Sequence, residues 1–259
     1  MKNRFLRSLS VAATVLAALF FLKSVYARES VPELEVTKEY RLVYVDGSEE
    51  SNPRRLMNVK GYSYSIEMRE YEGDDVLVME RTDRTEEGHV VKWELFMEPT
   101  SMSLIEARKK VISEGGHLLE ESREIYMHEV FDYGENAHHF QTIPAVASTL
   151  NMEEGSVNRL SFVFSPEAKP WTVTITAEGE ETVTVPAGTF QCVRFRMESD
   201  EENLGEKKGL GSYFMKFLLP TYYMWVDKEP PHTMVKYQGK LGGFTSPEQA
   251  QELVKIVPE

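Results

Sequence analysis

The chain is poor in the features that most often announce a chemistry. It has one cysteine, Cys192, in 259 residues, so no intrachain disulfide can form and no thiol lies near the N-terminus to carry a lipid. Basic residues are short as well: 29 Lys and Arg stand against 42 Asp and Glu, a net charge of −13. Such a balance repels nucleic acid and anionic headgroups at long range, which excludes both as general partners. Only one long apolar run occurs, Val11 to Leu22, 12 residues where a membrane span needs about 20. No Gly-x-Ser-x-Gly turn is present, since Gly209-Leu210-Gly211-Ser212 has the wrong order, and that turn is what a serine hydrolase of the common sort would show. There is no Gly-x-Gly-x-x-Gly after a strand and no phosphate loop ending in Lys-Ser or Lys-Thr.

What the N-terminus does contain is an export signal. Lys2, Arg4 and Arg7 precede the apolar run, and Val25-Tyr26-Ala27 offers a small-residue cleavage site. Residues 1–27 are therefore read as a signal peptide and 28–259 as a single β-rich domain, periplasmic or secreted after cleavage near Ala27. Retention as an N-terminal anchor is the alternative, encouraged by Lys23. Removing 27 residues leaves 232, with 25 basic against 42 acidic side chains, a charge of −17. That length can bury a substantial core without covalent staples.

The rest of the chain alternates apolar and polar residues. Tyr40, Leu42 and Tyr44 are spaced by two, as are Tyr62, Tyr64, Ile66 and Met68. The pattern continues through Val76 to Glu80, Val90 to Met97, Leu160-Phe162-Phe164, Trp171-Val173-Ile175, Val183-Val185 and Phe190 to Met197. A period of two with polar alternates means sheets with one covered face, hence a largely antiparallel arrangement. Leu104 to Tyr126 can be placed on a helix, but Glu114-Gly115-Gly116-His117 favours a charged hairpin. Pro144 to Leu150 is expected to be a short helix with proline in its first turn. Ser246-Pro247-Glu248 reads as a helix start, with Ala250, Leu253, Val254 and Val257 as the apolar face of a C-terminal helix. Tyr213 to Trp225 is the most apolar stretch outside the signal; it is read as a core strand with its preceding turn rather than as a flap over a cavity.

Six histidines occur, at 89, 117, 128, 138, 139 and 232. None has a helix-spaced second ligand, and His138-His139 on a strand would point to opposite faces, so no metal and no cofactor is expected. Cys192 alternates with Phe190 and Arg194 and reads as a buried, inert thiol. Carboxylate runs such as Glu178 to Glu181 and Glu198 to Glu202 read as solvated loops, and no enzyme is expected. What remains is the aromatic inventory: 13 Phe, 12 Tyr and three Trp. They either fill the core between layers or line a concave apolar groove, as barrel-like sheets do when the interior exceeds what side chains fill. The candidate lining residues are Trp171, Phe190, Tyr223 and Trp225.

Val183-Thr184-Val185-Pro186-Ala187-Gly188-Thr189-Phe190-Gln191-Cys192 resembles the strand–turn–strand of exported bacterial families without assigned function. Pro220-Thr221-Tyr222-Tyr223-Met224-Trp225-Val226, then Pro230-Pro231-His232 and Val235-Lys236-Tyr237, look like their closing hairpin. Ile143-Pro144 to Leu150, Trp171 and Gly179-Glu180-Glu181 fit the same order. The chain is similar, over roughly Ile143 to Leu253, to domain-of-unknown-function family 3108. The resemblance implies a strongly curved antiparallel sheet or incomplete barrel with one or two short helices, in outline like periplasmic lipoprotein carriers. It supplies no catalytic residues. The function it suggests is non-enzymatic: a lipid or other apolar, acyl-chain-like ligand on the concave face, or else an envelope scaffold with a packed interior and a protein partner. An undetected hydrolase is the minor alternative.

Overall fold

The computed structural model describes residues 36–44, 59–126, 137–163, 166, 169–200, 221–239 and 248–258. Residues 1–27, expected to be a signal peptide, residues 48–52, His128, the Gly205 to Pro220 stretch and Ser246 and Pro247, expected to start a helix, lie outside the described residues. So does the glycine-rich run after Gly239.

Among the described residues thirteen strands form one open, curved sheet. They are β1 Val36–Tyr44, β2 Val59–Tyr71, β3 Asp74–Thr85, β4 Val90–Met97, β5 Leu104–Ile112, β6 Leu118–Ile125 and β7 Ala137–His139. The second half contains β8 Val157–Val163, β9 Trp171–Val185, β10 Gly188–Ser199, β11 Tyr222–Asp227, β12 Met234–Gly239 and β13 Gln249–Pro258. The order is β6-β5-β4-β3-β2-β1-β13-β12-β11-β10-β9-β8-β7. Every neighbouring pair is antiparallel except β7 with β8. The first and last strands thus meet mid-sheet, and the two edges are consecutive in sequence. Among the described residues a single α-helix, α1 Ile143–Val146, sits between 3₁₀ turns at Phe140–Thr142 and Ala147–Thr149. All of the described residues fall in one compact unit, Pro32–Glu259.

The strands read from two-residue alternation are present, and the Leu104 to Tyr126 segment is the charged hairpin β5–β6. Its turn is closed by Gly116 N–H donating to the Ser113 carbonyl at 2.9 Å. Trp171-Val173-Ile175 and Val183-Val185, which read as separate runs, belong to one 15-residue strand. A bulge between Arg194 and Phe195 leaves Glu178 with no residue directly opposite it on β10 and places Gly179 at φ +137. A bulge of this kind bends a long hairpin without ending it. The Ala187 N–H at the hairpin tip reaches the Leu253 carbonyl at 3.2 Å.

The expected C-terminal helix is overturned: Gln249–Pro258 is β13, paired on both sides. Ala250, Leu253, Val254 and Val257 do fit a helical face. However, β1 and β12 would each expose a row of backbone donors and acceptors, and one strand between them satisfies both rows. Local helix spacing yields to that demand. Leu253 is consequently buried in the core, while Lys255 and Ile256 are exposed.

Candidate functional site

Strand alternation collects tyrosines on one face of the sheet. Tyr40 on β1 lies directly opposite Tyr62 on β2, and their rings stack with centroids 4.8 Å apart; Tyr64 follows at 6.0 Å. Across the centre, Tyr222 on β11 stacks on Tyr237 of β12 at 5.8 Å. Trp171 of β9 meets Tyr222 edge-on at 6.0 Å, and Phe140 lies 6.5 Å from both Trp171 and Phe162 of β8. Gln251 of β13 joins the two groups: it stands opposite Tyr237 and accepts a hydrogen bond from the Tyr62 hydroxyl at 2.9 Å. The Tyr40 hydroxyl donates to the Met234 carbonyl at 2.7 Å. The Tyr237 hydroxyl, in contrast, is buried with no hydrogen-bond partner among the described residues. Burial raises the Tyr40, Tyr62 and Tyr237 phenols above their ordinary values, so these hydroxyls stay protonated.

Set into this face is a polar cluster. Leu77, Met79, Arg81 and Asp83 continue one parity of β3, so the charged pair occupies positions that the pattern reserves for the core. Arg81 Nε donates to Asp83 at 2.8 Å and Nη1 to the Gln141 carbonyl at 3.0 Å, with its guanidinium 3.8 Å from the Tyr62 ring centre. Trp93 Nε1 donates to the second Asp83 oxygen at 3.1 Å. Each side chain of the pair is about 5% exposed or less, and both Asp83 oxygens are engaged, as a buried carboxylate requires. His139 packs 5.3 Å from Trp93 and accepts from the Gln141 N–H at 3.2 Å. Burial, reinforced by the Arg81 charge, holds its pKa down at about 3. His138, turned to the other side, meets the Met102 carbonyl at 3.1 Å, and burial lowers its pKa too. Both imidazoles are thus neutral at ordinary pH. The α1 segment is clamped onto the same face, because the Tyr64 hydroxyl reaches the Pro144 carbonyl at 3.5 Å and Arg81 holds Gln141.

The four candidate lining residues do not share one side. Trp171 joins the aromatic face; its indole N–H donates to Ser199 Oγ at 2.8 Å. Tyr223 and Trp225 pair with Arg196 and Arg194, so they stand on the face opposite Tyr222 and Met224. There Lys236 lies 5.3 Å from the Trp225 ring and Arg194 5.8 Å from that of Tyr223. Phe190 pairs with Val183 in the distal half of the bulged hairpin. Sequence reasoning missed Tyr237, Arg81, Asp83 and Gln251. The usable signal was the uninterrupted parity from Leu77 to Asp83; nothing local distinguishes Tyr222 from Tyr223.

The opposite face has its own network. Glu106, 1% exposed, accepts from Arg123 at 2.7 and 2.8 Å, from Arg108 at 2.5 Å and from the Tyr71 hydroxyl at 2.6 Å. Burial alone would raise its pKa, but these donors prevail and hold it at about 2. Arg108 also covers Phe96 at 4.4 Å, above a small cluster of Val76, Val78 and Phe96. Cys192 is buried, and burial, aided by Asp227 and Glu181, pushes its thiol up to about 12. Among the described residues no group of three or more His, Cys, Asp or Glu is placed to hold a metal ion. No described helix is long and apolar enough to cross a membrane.

Residues 124–242 match the family model described as "Protein of unknown function (DUF3108)". The resemblance read from the sequence holds there; the match starts before Ile143 and stops short of Leu253. Solved structures similar to the chain include the β-barrel-like DUF1849 protein of Brucella abortus, at 9% identity and TM-score 0.43, covering 88% of this chain and 99% of that one. Another is the Mycobacterium tuberculosis lipoprotein LppX, at 9% identity and TM-score 0.34, with 90% of each chain covered. A third is the hypothetical lipoprotein YmcC of Escherichia coli, at 13% and 0.35, covering 87% and 89%. No curated protein matches.

Proposed function

We propose that the chain is an exported, non-enzymatic cell-envelope protein that holds an acyl-chain-like ligand against the tyrosine-rich face of its sheet. The observation that carries this reading is the Tyr237 hydroxyl, buried beside the Tyr222 ring with no hydrogen-bond partner among the described residues. Buried hydroxyls are nearly always hydrogen-bonded, and one that is not invites a polar atom from elsewhere. The surrounding rings supply apolar contact, and the hydroxyl supplies one anchor for a head group. Of the four sequence candidates, Trp171 belongs to this surface. Export is supported by Lys2, Arg4, Arg7 and the apolar run ending at Leu22. A non-catalytic role is supported by the chemistry of the usual reactive groups: His138 and His139 are neutral and the Cys192 thiol stays protonated.

The second reading, an envelope scaffold with a filled interior, is favoured by the α1 segment lying on the same face, tied there by Tyr64 and Arg81. Native mass spectrometry of the protein purified from a bacterial envelope separates the two. Lipid adducts, together with uptake of a fluorescent fatty acid that Tyr237→Phe weakens, support the ligand-binding reading. A clean apo mass with no uptake supports the scaffold. Tyr237→Phe removes an unpaired hydroxyl, so it leaves stability unchanged or higher, and a loss of binding is then not a loss of fold.

A further inference from the structure

The two edges of the open sheet are built differently. β7 is three residues long and buried throughout. β6 has eight residues, most of them exposed, and among the described residues it pairs only with β5. Among the described residues, three of the six large hydrophobic side chains that stand exposed are on this one strand: Leu118 at 55%, Leu119 at 56% and Ile125 at 48%. Leu119 also has no residue directly opposite it on β5, because the register shifts there. A long edge strand with apolar side chains is an open template for another strand, and charges usually guard it.

On β6 the charges are arranged to suit one partner. Two copies of a strand that pair antiparallel in a continuous sheet are related by a two-fold axis normal to the sheet. Facing residues must then have the same parity, since they project from the same side. A two-fold axis through Ser122 sets Glu121 against Arg123 of the second copy within the regular stretch Glu120 to Ile125, and brings Leu119, in the bulge before it, next to Ile125 of the second copy. Symmetry then repeats both pairs. Opposite charges and apolar pairs are the cross-strand combinations that stabilise antiparallel sheets. Shifting the axis to Glu121 would put that carboxylate against itself, so the sequence selects a register. The one like-charge pair in the chosen register is Glu120 with Glu124. Each is already occupied, Glu120 by Lys109 at 2.8 Å and Glu124 by the Tyr126 hydroxyl at 2.8 Å. Arg123 is anchored by Glu106 and Glu121 by Lys110 at 3.1 Å, yet both remain about half exposed, so their outer sides can meet across the axis.

We propose that β6 is a self-complementary docking edge, pairing antiparallel with β6 of a second copy of this chain about an axis at Ser122. This is independent of any ligand on the tyrosine face. Eight residues form a small interface, so the association is weak and concentration-dependent. Sedimentation velocity on the full chain tests it, over roughly a hundredfold range centred near 10 µM. The dimer fraction is expected to rise through that range and to fall with added salt. Glu121→Arg, which sets like charges face to face, weakens it about tenfold or more. Ser122→Cys gives the second reading: facing Cα atoms in an antiparallel pair are about 4.5 or 5.5 Å apart, and both distances lie in the disulfide range. Mild oxidation should therefore link Ser122→Cys copies, and a Thr182→Cys control on the β9–β10 hairpin should not link. A monomer at every concentration, or cross-linking no faster at 122 than at 182, overturns the proposal. A dimer indifferent to Glu121→Arg does so as well.

Discussion

His139 makes stability depend on mild acid. The imidazole is buried beside the Arg81 guanidinium, and its pKa is about 3 in the fold against about 6.5 in an unfolded chain. Below pH 6.5 the unfolded state takes up a proton that the native state refuses. The stabilisation is complete above the unfolded value and is lost as pH falls toward the folded one. For a 3.5-unit depression the loss between about pH 7.5 and about pH 5 is roughly 2 kcal/mol, and the slope approaches 1.4 kcal/mol per pH unit. His138 is shifted the same way by burial and adds to the slope. Urea unfolding at a series of pH values between those limits, followed by tryptophan emission, gives the slope directly. His139→Asn keeps an acceptor for the Gln141 N–H and removes the titration, so its profile should be flatter by most of one proton. Equal slopes in the two proteins would refute the reasoning, because His139 would then be accessible to protons in the native state.

Other outcomes follow from the same contacts. Asp83→Leu leaves Arg81 buried without its carboxylate and should cost about 3–5 kcal/mol in urea midpoint analysis, whereas Arg81→Met with Asp83→Leu should recover most of that. Glu106→Gln should remove an acid-dependent stabilisation of at most about 3 kcal/mol, present above pH 4.5 and lost as pH falls toward 2; a wild-type profile unchanged by the substitution would contradict the network. A Cβ at Gly239 would overlap the Tyr222 ring, so Gly239→Ala should destabilise by about 1–3 kcal/mol and disturb the near-ultraviolet dichroism of the Tyr222–Tyr237 stack. A Gly239→Ala protein with the wild-type midpoint and spectrum would place the ring elsewhere.

The period-two alternation made the sheet legible because it is a direct imprint of side chains pointing to opposite faces. The β5–β6 hairpin was legible from its Gly115-Gly116 turn instead, since its apolar residues also fit a helix. Two things were not legible, for physical reasons. Gln249–Pro258 has helical spacing, and only the presence of β1 and β12 on either side makes it a strand. Likewise, alternation says that Tyr222 and Tyr223 face opposite ways but not which of them faces the tyrosines of β1 and β2. That is decided by pairing with Met197 rather than Arg196. The bulge at Gly179 and the tip contact at Leu253 are long-range features that no window of sequence contains. The buried Arg81–Asp83 pair continues the core parity of β3, one step past the run Val76 to Glu80 that alternation marks.

The claim that a ligand lies on the Tyr222 and Tyr237 side of the sheet is tested most directly with the three tryptophans. Trp93 and Trp171 stand at that face, whereas strand parity turns the largely buried Trp225 to the reverse. Single-tryptophan proteins, with the other two replaced by phenylalanine, are titrated with a brominated fatty acid. Saturable quenching of the Trp171 protein, with Trp225 emission left unchanged, is the predicted result. Quenching of Trp225 alone, or of none of the three, would contradict it.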